Sequence, residues 1–311
     1  MGSTYEIPTT EALDTLYESL KNWDRWGSDD QRGALNYLTD AHRAMAAALV
    51  RTGETISLAH DLGTEPSAEN LHPAQHHMLA SGDARETPGI PGYEAARDHI
   101  ALDIHGLYTT HVDALAHMFV RGQMYGGRPA SDVRSDGARS NTMTAMADGV
   151  VGRGVLLDIP RALGRDFLDA GQVVTMADLL TAEEAENIRV ETGDILLVSW
   201  GRAARRAANK TFDGFSGLHP ECLPWLHERQ VSVLGSDGIS DPMPFVGTPE
   251  WPFPIHQIGI TAIGLHLIDN MSLARLSERC AAHGRWEFLF AMGPLRIVKG
   301  TGSPVNPMAV L

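Results

Sequence analysis

The sequence predicts an α/β fold, a mixed sheet with interspersed helices, preceded by an N-terminal helical extension. Three observations lead there. Strand-like apolar stretches alternate with helix-like ones, but without the regular rhythm of repeated strand–helix–strand units. No glycine-rich phosphate loop, neither GxGxxG nor the P-loop pattern, follows a strand. No internal repeat or low-complexity linker divides the chain, and 311 residues of which 43% are hydrophobic can bury one large core. Residues 1–52 form the extension and 53–311 the main domain.

Taken in order, residues 9–22 read as an amphipathic helix, because Leu13, Leu16, Tyr17 and Leu20 recur at spacings of three and four. A polar turn at 28–36 leads to a second helix over 40–51, with Asp40 as its N-cap. Residues 56–60 look like a strand. The segment 61–99 carries Pro66, Pro73, Pro88 and Pro91 and reads as a loop too long for a mere connector, a flap or an interface arm. Strands follow at 99–105, 153–159, 193–200 and 231–236. Helices are expected at 175–190, capped by Thr175, at 219–229 with Pro220 in its first turn, at 256–267, and at 271–283 ended by Gly284. A last strand over 286–292 precedes a tail rich in glycine and proline.

Composition narrows the function. The net charge of −14 and the lack of a Lys/Arg stripe argue against nucleic acid. The one basic cluster, 202–210, reads as a solvated helix face. No apolar run approaches the roughly 20 residues of a membrane helix, and the first residues show no secretory signal. Two distant cysteines, Cys222 and Cys280, fit core thiols in a reducing cytoplasm. Fourteen histidines are the unusual feature, since histidine is the commonest metal ligand and a common acid/base.

The histidines concentrate around Asp103-Ile104-His105-Gly106-Leu107-Tyr108-Thr109-Thr110-His111-Val112-Asp113-Ala114-Leu115-Ala116-His117. On an extended strand His111 and Asp113 face the same way, about 7 Å apart along the chain, which suits one metal ion between imidazole and carboxylate. His117 shares a face with Asp113 if a helix starts there. His72, His76 and His77 in the long segment read as surface residues. Asp237 and Asp241 read as loop organisers, and Trp26 and Trp251 either line a substrate pocket or pack the core.

This segment resembles the H-x-G-T-H-x-D-x-P-x-H signature of the cyclase or kynurenine-formamidase-like metal hydrolases. The resemblance extends to Trp26-Gly27-Ser28-Asp29-Asp30-Gln31-Arg32-Gly33-Ala34-Leu35-Asn36, Gly152-Arg153-Gly154-Val155-Leu156-Leu157-Asp158, Gly193-Asp194-Ile195-Leu196-Leu197, Gly217-Leu218-His219-Pro220-Glu221, Leu234-Gly235-Ser236-Asp237, Pro254-Ile255-His256-Gln257 and the tail from Gly300 to Pro307. It implies a swivelling β/β/α domain, assembled as a homodimer or homotetramer, that cleaves amide or lactone bonds of a small molecule with zinc or manganese. By position, His111 and Asp113 match metal ligands, His117 the catalytic histidine and His256 a later ligand. Asp269 is the candidate for the final carboxylate, and it can meet His256 only if the helix between them ends, as Gly264 allows.

The sequence also departs from the signature. Leu107 stands where its first histidine falls, Thr109 where its glycine falls and Leu115 where its proline falls. His105 lies six residues before His111, about 20 Å if extended, so it needs a turn at Gly106 to share a metal. It is either a shifted ligand or a structural histidine. Three functions remain open: metal-dependent hydrolysis, cyclisation or dehydration on the same site, and a degenerate metal-free member that binds a small molecule or serves in assembly. No Gly-x-Ser-x-Gly elbow supports a serine hydrolase.

Overall fold

A computed structural model describes residues 8–83, 90–208, 211–245 and 247–311. The extreme N-terminal residues read for a signal, Pro88 of the long segment and Lys210 of the basic cluster lie outside the described residues. Among those described, nine strands form one sheet: β1 (Thr55–Ser57), β2 (His111–Asp113), β3 (Val150–Asp158), β4 (Ile195–Ser199), β5 (Val233–Ser236), β6 (His266–Asp269), β7 (Glu287–Met292), β8 (Gly302–Pro304) and β9 (Met308–Val310). Their order is β1-β9-β7-β3-β4-β5-β6-β2-β8. The central strands β3 to β6 run parallel, and the flanking pairs are antiparallel. The fold is the mixed α/β one the sequence predicts.

The parallel strands are apolar on both faces because both faces are covered. Val155, Leu157, Leu196, Val198, Leu234 and Leu267 point into one core cluster. Leu156, Ile195, Leu197, Val233 and Ile268 alternate with them and point into the other. Helices α1 (Thr10–Ser19), α2 (Asp40–Ala47), α3 (Met176–Ala185), α4 (Arg202–Ala207), α5 (Cys222–Glu228), α6 (Pro254–Ile258) and α7 (Ala274–His283) surround the sheet. Both cysteines are buried, which pushes their thiols up, that of Cys280 to about 12.

Several local expectations need correction. Helix α2 is capped by Thr39, one residue before Asp40, in a reciprocal box with His42. The segment 61–99 is not all loop: Gln75–Ala80 pairs antiparallel with Arg97–Ala101, and both strands are largely exposed. The expected helix over 256–267 is shorter. It runs from Pro254 to Ile258, widens into a π-helical turn at Gly259–Ile263 and stops at Gly264, whose φ of 74° is left-handed; residues from His266 become β6. The glycine- and proline-rich tail supplies β8 and β9. Pro304 fits because β8 is the terminal strand, where a missing N–H breaks no ladder.

The N-terminal segment completes the first core. Leu13, Tyr17, Leu20, Ala34 and Tyr37 belong to the same buried cluster as Ile255, Ile258 and Ile263. It also answers the open carbonyls at the end of the π-turn, which no later turn can satisfy. Asn22 donates its backbone N–H to Ala262 and its amide to Ile263, both at 3.0 Å. Trp23 Nε1 donates to the Thr261 carbonyl at 2.7 Å, and Ala34 N to Gly264 at 2.8 Å. Gly33 and Gly264 pass so close that a Cβ on Gly33 would sit 2.3 Å from the Gly264 oxygen.

A buried carboxyl beside β3 makes stability depend on pH. Glu186 accepts from Asp158 N at 2.8 Å through one oxygen, while the other has no partner. Burial pushes its pKa up to about 8 from an ordinary 4.5. The folded state therefore keeps a proton that the unfolded state sheds. Its contribution is full below pH 4.5 and is lost as pH rises to 8, with a slope of at most about 1.4 kcal/mol per pH unit. Glu186→Gln is expected to flatten that fall. Urea midpoints at pH 5 and pH 8 should lie closer together in the variant, and an unchanged separation would show that Glu186 ionises normally.

Candidate metal centre

The site forms where β2 runs between β6 and β8. The register sets Asp269 opposite His111 and Gly302 opposite Asp113. Strand alternation sends Val112 into the second core cluster, and His111 and Asp113 to the opposite face. His105 reaches the same point through bends over residues 104–109 that fold the chain back; Gly106 does not take a left-handed conformation. His105 Nδ1 lies 2.9 Å from Asp113 Oδ1, and its Nε2 lies 3.1 Å from Thr301 Oγ1.

Helix α6 brings the second half. Asp241 accepts from the N–H groups of Ile255 and His256 at 2.8 and 3.0 Å, capping the helix, and lies 2.6 Å from His256 Nδ1. Asp241 thus does more than organise a loop: it orients an imidazole. His256 Nε2 then faces Asp269 Oδ2 at 3.3 Å and Asp113 Oδ2 at 3.6 Å. The helix stop at Gly264 is what lets Asp269 return to His256 within thirteen residues.

Two donor groups result, His105 with His111 and Asp113, and Asp113 with His256 and Asp269. Asp113 is common to both. Its two oxygens and Asp269 Oδ1 are buried without a hydrogen bond of sound geometry, even where His105 comes close. His111 donates its Nδ1–H to the Thr109 carbonyl at 2.8 Å, so in the neutral imidazole the Nε2 facing Asp113 at 3.6 Å carries a lone pair, and two acceptors confront each other. Such a confrontation is costly without a cation, and nitrogen and carboxylate donors of this kind suit a divalent ion. The residues fit a metal.

The charges agree. Burial alone would raise the Asp113 carboxyl, but His117, His105 and His111 around it hold it well below the usual carboxylate range. Burial would lower His256, yet Asp269 and Asp241 raise it well above the ordinary histidine value. His117 belongs to neither donor group. Its ring stacks on His105 at 3.8 Å, and burial pushes it down to about 4. No helix starts at Asp113; residues 114–117 form a turn, closed by His117 N donating to Ala114 at 2.9 Å.

Of the two readings of the tryptophans, the structure takes core packing. Trp251 is 1% exposed, packs on Tyr17 at 5.5 Å between ring centroids and donates its indole N–H to Asp14 at 2.9 Å. Trp26 packs edge-on against Tyr37 at 5.0 Å. Both are packing residues. The aromatic ring beside the site is Phe253, 6.3 Å from His256 and in turn 4.5 Å from the exposed Phe245. The basic cluster is also corrected: Arg202 is 8% exposed and ion-paired with Glu69 at 2.7 Å.

A family model described as "Putative cyclase" matches residues 38–241. The chain belongs to that family. This cyclase-family chain is similar to a crystal structure described as a novel cyclase, at 30% identity and a TM-score of 0.84, over 94% of this chain and all of that one. It is 29% identical to the isatin hydrolase of Roseibium aggregatum over 142 residues, 43% of this chain; the match spans about half of that relative, 51%. Isatin hydrolase A from Labrenzia aggregata, bound to benzyl benzoate, shares the fold at 21% identity and a TM-score of 0.56, over 86% of this chain and 97% of that one. Among the described residues no helix is long and apolar enough to cross a membrane.

Proposed function

We propose that this chain is a divalent-metal-dependent hydrolase that cleaves an amide or lactone bond of a small organic molecule bearing an aromatic ring. One observation carries the reading: a buried carboxylate, Asp113, with neither oxygen properly hydrogen-bonded, enclosed by His105, His111, His256 and Asp269. These five residues would hold the ion, zinc or manganese by their nitrogen and oxygen donors. When bound, such an ion supplies Lewis acidity toward a carbonyl oxygen and toward water.

The chain's own residues do the rest. Asp241 fixes the His256 ring by accepting a hydrogen bond from its Nδ1–H, and the Thr109 carbonyl fixes His111 in the same way. His117, held neutral near pH 7 by burial, takes a proton from the attacking water at a ring nitrogen and passes it to the departing nitrogen or oxygen. Phe253 and Phe245 offer an aromatic wall to the substrate's ring. The hydrolase name of the 29% identical relative supports hydrolysis over cyclisation. Aryl formamides, cyclic amides and lactones, assayed with zinc and with manganese, test the reading. Turnover of at least one class is expected, abolished by a chelator and restored by the ion. Protein that neither carries nor takes up either ion would overturn it.

A further inference from the structure

The loop between His105 and His111 is held by side chains from elsewhere. Arg202 lies at the start of α4, donates Nη2 to the Leu107 carbonyl at 2.7 Å and Nη1 to Asn270 Oδ1 at 2.9 Å. Asn270 donates its amide to the Gly106 carbonyl at 2.8 Å and the Thr109 carbonyl at 3.2 Å. The Thr109 carbonyl also accepts the hydrogen bond from His111 Nδ1–H. The Asn270 carbonyl accepts from Thr110 Oγ1 at 2.6 Å. Three carbonyls of the loop, at 106, 107 and 109, are thus taken by two buried side chains. Arg202 is itself fixed: Glu69 takes Nη2 at 2.7 Å, the Asp237 carbonyl takes Nη1 at 3.2 Å, and Phe215 lies under the guanidinium at 4.6 Å.

We infer that Arg202, acting with Asn270, is a positioning residue that folds the 104–109 loop so that His105 replaces, at the metal, the ligand that Leu107 cannot supply. The inference rests on the proposed metal-dependent function. Its physical core is the fork. A planar guanidinium reaches the Leu107 carbonyl, Asn270 and Glu69 in fixed directions, and an ammonium on a flexible stem cannot hold all three. Neither Arg202 nor Asn270 belongs to the donor groups, so both act through the loop.

The test uses the full chain. Affinity for Zn2+ and for Mn2+ is measured by chelator competition in the wild type, Arg202→Lys, His105→Ala and the double variant, alongside thermal midpoints. Arg202→Lys should bind metal about 10- to 100-fold more weakly, the size seen when a group orienting a ligand is lost. In the His105→Ala background the same change should cost little further, because its effect passes through His105. Full affinity in Arg202→Lys, or an equal loss in both backgrounds, would overturn the clamp. Hydrogen exchange over peptides spanning 102–111, measured without metal, separates the two readings: Arg202→Lys should exchange faster there and Asn270→Ala likewise. Unchanged exchange in both variants refutes the clamp whether or not metal binds. A wild type that binds neither ion refutes the metal reading, and with it the role of His105 as a ligand.

Discussion

Asp113→Asn is expected to abolish divalent-ion binding and hydrolysis together. Asp113 is the one residue shared by both donor groups, with Oδ1 toward His105 and His111 and Oδ2 toward His256. Asparagine keeps the shape but removes the charge and puts two N–H donors where a cation would sit. The loss should exceed the about 10- to 100-fold that follows when only an orienting group is removed. Elemental analysis after dialysis against a metal buffer checks it, together with turnover on any substrate found. A variant that retains the wild-type metal content would remove Asp113 from the centre.

His117→Asn is expected to separate chemistry from binding. Turnover should fall about 100- to 10,000-fold, the usual contribution of a positioned acid/base, while metal content stays at the wild-type level. The stacking of His117 on His105 at 3.8 Å leaves its ring at the edge of the donor groups and outside both. A metal ion there would keep an open position, as a catalytic site needs. If the variant loses its ion as fully as Asp113→Asn, His117 is a ligand. If it keeps full turnover, another group moves the proton.

The strand pattern was legible because apolar periodicity is local. Val150–Asp158 and Ile195–Ser199 lie within a few residues of their expected ends. His111 and Asp113 were legible for the same reason, since period-two alternation puts them on one face. The contribution of His105 needed the loop fold, which depends on Arg202 and Asn270, far away in sequence. Nothing in spacing joins position 202 to position 107, and four cations among alanines gave the pattern of a solvated face. Asp241 was missed likewise: its role appears only when α6 starts on its carboxylate. The tail was misread because glycine and proline dominate it, while its strands form through pairing with β2 and β7 at long range.

The carbonyl contacts of Asn22, Trp23 and Ala34 have a consequence for anyone trimming this chain. The family model starts at residue 38, so its boundary alone invites a chain begun there. Such a chain would leave the oxygens of residues 261–264 without their donors and uncover Ile255, Ile258 and Ile263. The helix so loosened is the one that carries His256. Homology boundaries and folding boundaries part company here: residues 8–37 serve as a splint for a histidine more than two hundred positions downstream, and a shortened chain would loosen His256 through a frayed helix end with His105, His111, Asp113 and Asp269 all still present.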